Sequence, residues 1–140
     1  MVGLIITAHG RLAEALLDTA TQIAGPLERV VTCNIAPGTS PEELRERLHH
    51  AIQEVGQGEG VLILADLFGG TPCRESLLLS GAQPVEVVAG VNLPMVLKAA
   101  SLRHEVRALP ELAEALVVHG QRHIQAASAL LRAAQEKDRP

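Results

Sequence analysis

Val61-Leu62-Ile63-Leu64-Ala65-Asp66 is the stretch on which the fold turns. Five apolar residues in a row, with no alternation, read as a short strand covered on both faces, as in a parallel sheet flanked by helices. The run stops at a charge, Asp66, and passes through Leu67-Phe68-Gly69-Gly70-Thr71-Pro72, where a capping Thr followed by Pro starts a helix predicted to end near Gly81. Upstream, Gly56-Gln57-Gly58-Glu59-Gly60 reads as a flexible connector.

The same grammar repeats in both directions. Val2-Gly3-Leu4-Ile5-Ile6-Thr7-Ala8 is a second apolar strand, followed by an amphipathic helix over Arg11 to Ala24 with Leu12, Leu16, Ala20 and Ile23 at helical steps. Gly25-Pro26 closes that helix, and Arg29 to Ile35 is the next strand. Ser40-Pro41-Glu42-Glu43 supplies a cap, a Pro and acids for a helix running through Leu44, Leu48, Ala51 and Ile52 to about Val55. Beyond the central run come a strand, Val85 to Ala89, and a helix opened by Asn92-Leu93-Pro94 and running to about Leu102. Glu105 to Leu109 reads as a weak fifth strand. Glu111 to Ala134 reads as one long helix with Val117, Gly120, Ile124, Ala127 and Leu131 on its apolar stripe. Strands alternating with helices through short connections predict an α/β fold, a three-layer α/β/α sandwich on a mainly parallel sheet. Residues 1–134 form a single domain and 135–140 a frayed tail.

Composition narrows the function. The chain has 140 residues, 47% hydrophobic and 20% charged, with a net charge of −4. One Phe and no Trp or Tyr leave no aromatic platform for stacked bases, and the acidic balance leaves no basic footprint for a phosphate backbone. The apolar runs fall well short of the ~20 residues a membrane span needs, and no signal peptide opens the chain, so a cytoplasmic protein is expected. Cys33 and Cys73 stand far apart with no C-x-x-C, so neither a disulfide framework nor a zinc site is indicated.

In open parallel sheets, ligands bind outside the carboxyl ends of the strands. That rule selects the loops at His9-Gly10, Ala36-Pro37-Gly38-Thr39, Asp66 through Thr71, and Gly90-Val91-Asn92. Asp66 is one of only three aspartates, with Asp18 and Asp138. It either caps the following turn or holds one nitrogen of the His9 ring as N–H, leaving the other as a nucleophile or base. Gly69-Gly70-Thr71-Pro72 is either ordinary capping grammar or an anion pocket at a helix start. A nucleophilic His, an orienting Asp and an anion pocket together suit phosphoryl transfer.

Other chemistries find no support. Gly56-x-Gly58-x-Gly60 precedes a strand rather than following one, so it is no dinucleotide fingerprint. Lys98 and Lys137 are the only lysines, and neither belongs to a P-loop. His119 and His123 stand four apart and could share a metal, but with no Asp or Cys near them in sequence they read better as surface histidines. His49-His50 reads as solvated and His104 as a turn residue. Cys73 reads as a packing residue. No cofactor is expected.

With these residues in place, the chain resembles the mannose-family enzyme IIA domain (EIIA) of the bacterial phosphoenolpyruvate-dependent sugar phosphotransferase system (PTS). Thr7-Ala8-His9-Gly10, Pro37-Gly38, Gly60 to Asp66 with Gly69-Gly70-Thr71-Pro72, and Val88 to Met95 carry the resemblance, in order, over nearly the whole chain. It implies that His9 takes a phosphoryl group from the phosphocarrier protein HPr and passes it to a IIB partner. Asp66 then bonds the ring nitrogen opposite the phosphorylated one. Thr71, with Gly70, contacts the phosphoryl group. Phe68, Pro37, Asn92 and Arg74 belong to the site rim or a partner contact, with Arg74 alternatively a solvated first-turn side chain. The resemblance also implies a homodimer that exchanges an antiparallel fifth strand, here Glu105 to Leu109. The chain ends after its last helix, so a separate IIB protein is expected as acceptor. Two other readings stand beside this one: a regulatory phosphoprotein with the same His9 chemistry but no transport acceptor, and a non-catalytic small-anion binding module.

Overall fold

The computed structural model describes residues 1–67, 83–105 and 108–139. Four parallel strands, β1 (Gly3–His9), β2 (Val30–Ile35), β3 (Val61–Ala65) and β4 (Val85–Ala89), form one sheet in the order β2-β1-β3-β4. Helix α1 (Leu12–Ala24) connects β1 to β2, and α2 (Pro41–Gly56) carries the chain back across β1 to β3. After β4 come α3 (Leu93–Leu102), α4 (Leu109–Arg122) and α5 (Ala127–Lys137).

β1 and β3 are the sheet's interior strands, and their near-continuous apolar sequences follow from that position. Leu4, Ile6 and Ala8 point to one face and join Leu62, Leu64, Val88 and the buried sides of α1, α3 and α4. Ile5 and Ile63 point to the other and join Leu44, Leu48, Ile52 and Val55 of α2. These are the two helical layers over the sheet, the three-layer sandwich expected. Gly3 is required by closeness: a Cβ there would lie 2.4 Å from the Val55 carbonyl oxygen, where α2 ends against β1. Ser40 caps α2 as its sequence predicts, accepting the Glu43 N–H at 3.1 Å.

Several expectations are corrected. The long C-terminal helix is two helices. At His123 and Ile124 the N–H groups bond Gly120 and Gln121, three residues back, and the Gln125 amide caps the Arg122 carbonyl at 2.9 Å, so the four-residue ladder stops. No packing resists the break, because no residue of α5 is buried. The apolar stripe is shifted as well. Leu109, Leu112, Ala113, Leu116 and Gly120 are buried, while Val117, Ile124 and Leu131 are exposed. In α1 the buried residues are Ala13 and Ala20, with Leu12 and Ile23 exposed. A period of 3.6 admits adjacent phases: Ala13 and Ala20 are fully covered and Leu16 and Leu17 pack partly buried beside them, so Leu16 and Ala20 of the expected stripe face the core while Leu12 and Ile23 do not. The described ends of the expected fifth strand are not strand: Glu105 closes a turn on the Leu102 carbonyl, and Leu109 opens α4. Val106 and Arg107 between them, and the helix expected from Thr71-Pro72 to Gly81, lie outside the described residues. No helix among the described residues is long and apolar enough to cross a membrane.

Candidate functional site

In the order β2-β1-β3-β4 the strand that follows β1 lies on one side and the strand that follows β3 on the other, so the strand order reverses between the carboxyl ends of β1 and β3. This is the switch in strand order where open α/β sheets bind ligands. β1 is buried from Gly3 to Ala8 and exposed only at its last residue, His9. Asp66 follows directly on β3, whose Ala65 pairs with Thr7 of β1. Neighbouring registers therefore bring the two side chains together. Val91 N–H bonds the Ala65 carbonyl at 3.0 Å and ties the loop after β4 to the same edge.

The contact between His9 and Asp66 is specific. Oδ2 of Asp66 lies 3.0 Å from His9 Nδ1 and accepts the His9 backbone N–H at 3.1 Å, while Oδ1 accepts the Leu67 N–H at 2.9 Å. Asp66 thus engages the His9 ring and the Leu67 N–H at once. Its side chain is 11% exposed against 48% for His9. Burial alone would raise the Asp66 pKa, but the hydrogen bonds and charge of His9, with the Leu67 N–H, outweigh it and hold the carboxyl below its usual value. An ionised carboxylate only accepts, so His9 Nδ1 carries the proton and Nε2 carries the lone pair. The result is a half-exposed imidazole that, in its neutral form, is held through Nδ1 and leaves Nε2 unprotonated.

Gly10 makes the turn out of β1. Its φ of +62° favours glycine, and its N–H donates to the Ile35 carbonyl at 2.8 Å. Arg11 then occupies the N-cap of α1 without a side-chain cap bond. Asn34, in register with Ala8, does that work from β2: its Oδ1 accepts the Glu14 N–H and its Nδ2 donates to Glu14 Oε2, both at 3.1 Å. Glu14 also pairs with the exposed Arg11 at 3.1 Å. Sequence reasoning missed Asn34 and Glu14. The available signal was a polar residue late in an apolar strand and an acid in the first turn of a helix that lacks a good N-cap residue.

The remaining expected site residues divide three ways. Pro37 is exposed in the turn from Ala36 to Thr39, at the same end of the sheet as His9. Asn92 is half-buried, and its side chain is engaged within the fold: Oδ1 accepts the Met95 N–H at 3.0 Å and Nδ2 donates to the Gly120 carbonyl at 3.1 Å. Phe68, Gly70, Thr71, Cys73 and Arg74 lie outside the described residues. Cys33 is buried behind the site on β2, and its burial pushes the thiol pKa up. No group of three or more His, Cys, Asp or Glu among the described residues could hold a metal ion.

A histidine so poised at a sheet switch point invites comparison with known proteins. A family model described as "PTS system fructose IIA component", of the mannose EIIA type, matches residues 3–117. This chain belongs to the mannose-type EIIA family. It is 32% identical over 129 residues to the fructose-specific EIIA component of Bacillus subtilis, covering 91% of this chain and 88% of that one. It is also 32% identical to the mannose-specific EIIAB component of Escherichia coli, of which it spans 40%. A crystal structure of an EIIA component from Streptococcus agalactiae superposes with a TM-score of 0.85 at 30% identity, covering 92% of this chain and 99% of that one. The EIIA fold therefore frames the His9–Asp66 pair, and α5 lies beyond the stretch that the family model matches.

Proposed function

We propose that this EIIA chain is a phosphocarrier of a sugar PTS, taking a phosphoryl group from phospho-HPr on His9 and passing it to a separate IIB protein. The observation that carries this reading is the His9 Nδ1–Asp66 Oδ2 bond of 3.0 Å, which leaves Nε2 as the nucleophile on a half-exposed ring.

The Nε2 lone pair attacks phosphorus while the bond to the donor's phosphohistidine breaks, so the phosphoryl group moves without net proton uptake at the new bond. The ring gains positive character as it is phosphorylated, and the Asp66 carboxylate stabilises that charge through the Nδ1 proton. Transfer of this kind is governed by positioning and electrostatics rather than acid–base steps. The return step to IIB reverses the displacement, with Nε2 as leaving group. Thr71 and Gly70 are assigned to the phosphoryl oxygens on the strength of the family motif. A homodimer belongs to the same reading. The exposed apolar side chains of Ile124, Leu130 and Leu131 support it.

The test is intact mass after incubation with phosphoenolpyruvate, enzyme I and HPr, beside His9→Ala. One acid-labile phosphoryl group on the wild type and none on the folded variant is the expected outcome. A folded wild type that gains none under those conditions would overturn the proposal in favour of an anion-binding module. Transfer onward to a purified IIB protein distinguishes the transport role from a purely regulatory phosphoprotein.

A further inference from the structure

Far in sequence from His9, a pair of imidazoles stands at the end of α4. His119 and His123 are four residues apart, so both lie on one side of the helix. Their ring centres are 4.4 Å apart and the planes are tilted by 45°. His123 Nδ1 lies 2.9 Å from the His119 carbonyl oxygen, which can only accept, so that nitrogen is the N–H and Nε2 keeps its lone pair. A ring N–H tied to a backbone carbonyl is the usual arrangement behind a metal-binding histidine, because it fixes the tautomer and raises the basicity of the other nitrogen.

His119 lines a surface cavity of about 420 Å³ between α3 and α4, with Lys98, Glu111, Glu114 and Arg122 as its charged members. Two cations and two carboxylates balance there, so the cavity carries no net charge against a cation.

The separation of the rings discriminates between metals. With metal–nitrogen distances of ~2.0 Å, two imidazole centres stand about 4.5 Å apart at a right angle around one ion and about 5.2 Å apart at the tetrahedral angle. The observed 4.4 Å fits the right angle. We propose that His119 and His123 form a two-imidazole chelate for a divalent transition ion of square or octahedral preference, Cu²⁺ or Ni²⁺ rather than Zn²⁺, with water completing the coordination. The site does not depend on the phosphocarrier reading.

The experiment is titration of the full chain near neutral pH with Ni²⁺, Zn²⁺ and Cu²⁺ by calorimetry, with electron paramagnetic resonance of the Cu²⁺ form. The variants are His119→Ala, His123→Ala, the double variant, and His49→Ala/His50→Ala as a control on another helix. Expected are one ion per chain, nitrogen hyperfine structure from two imidazoles, and at least about a tenfold loss of affinity in each single variant, on the scale set by altering a metal's supporting groups. The control binds as the wild type does. All four histidines are partly or fully exposed, so circular dichroism is expected to show every variant folded. Equal affinity of the wild type and the His119→Ala/His123→Ala double variant overturns the site. Zn²⁺ binding more tightly than Ni²⁺ overturns the geometric preference.

Discussion

The two ends of the central strands carry polar clusters that are built in opposite ways. At the amino end, Arg103 is 2% exposed and gives its terminal nitrogens to backbone carbonyls: Nη1 to Arg29 at 3.1 Å and Val2 at 3.4 Å, Nη2 to Glu28. Arg29, with φ of +53°, donates in turn to the Val55 and Gly56 carbonyls at 2.6–2.9 Å. Here charge is used to close loops. At the carboxyl end, one carboxylate takes three N–H groups and still leaves a half-exposed ring with a free nitrogen. The lesson is where bonding capacity remains. Polar groups consumed by backbone hold the fold together. A half-buried acceptor that orients an exposed ring leaves chemistry available.

The comparison breaks or sharpens first at Asp66. Asp66→Ala is expected to keep the fold and slow phosphorylation by roughly 10²–10⁴-fold, the scale of a positioned acid–base partner. Quench-flow kinetics matching the wild type would show that the carboxyl end is only a capped turn. Arg103→Met is the opposite experiment. Hydrogen bonds to charged donors are worth ~1.5–3 kcal/mol, and three carbonyls lose theirs, so a net loss of about 3 kcal/mol is expected. Denaturant melts measure it, while the phosphorylation rate of the folded fraction stays at the wild-type value. A rate change there would mean the two ends are coupled.

Asn34→Ala tests the margin of the site. It removes the borrowed cap of α1 and is expected to cost about 1 kcal/mol, read as a lower melting temperature. The smallest effect concerns pH. The folded-state pKa of Asp66 lies below its unfolded value, so its stabilisation is complete above the unfolded value and disappears as pH falls through the folded one. The melting-temperature gap between wild type and Asp66→Asn is therefore expected to close on acidification through the carboxylate range. A gap that is constant with pH would mean that the Asp66 charge adds nothing to stability.

Much of this was legible in the chain. β3 and β4 lie where the apolar runs place them, and α3 begins behind Asn92 as the Asn-Leu-Pro signal predicts. His9 and Asp66 stood out because each is the first strongly polar side chain after a buried strand. Phase and length are less legible in the helices that touch the core on one side only. Gly120 lies on the inner face of α4 as its spacing predicts, but Ile124 and Leu131, on the same predicted stripe, are exposed. Asn92 shows the complementary difficulty. Its loop position marks it for ligand contact, yet its amide bridges α3 and the Gly120 carbonyl, a partner 28 residues away.

The sequence by itself determined the first four strands, the helices α1 to α3, the α/β sandwich and the two polar residues at the strand ends, because those depend on local period, caps and runs of apolar side chains. Only the tertiary structure decided which nitrogen of the His9 ring is held by Asp66, and that Asn34 caps a helix from a neighbouring strand. Those outcomes depend on distances between groups brought together by folding, and no local pattern encodes a distance.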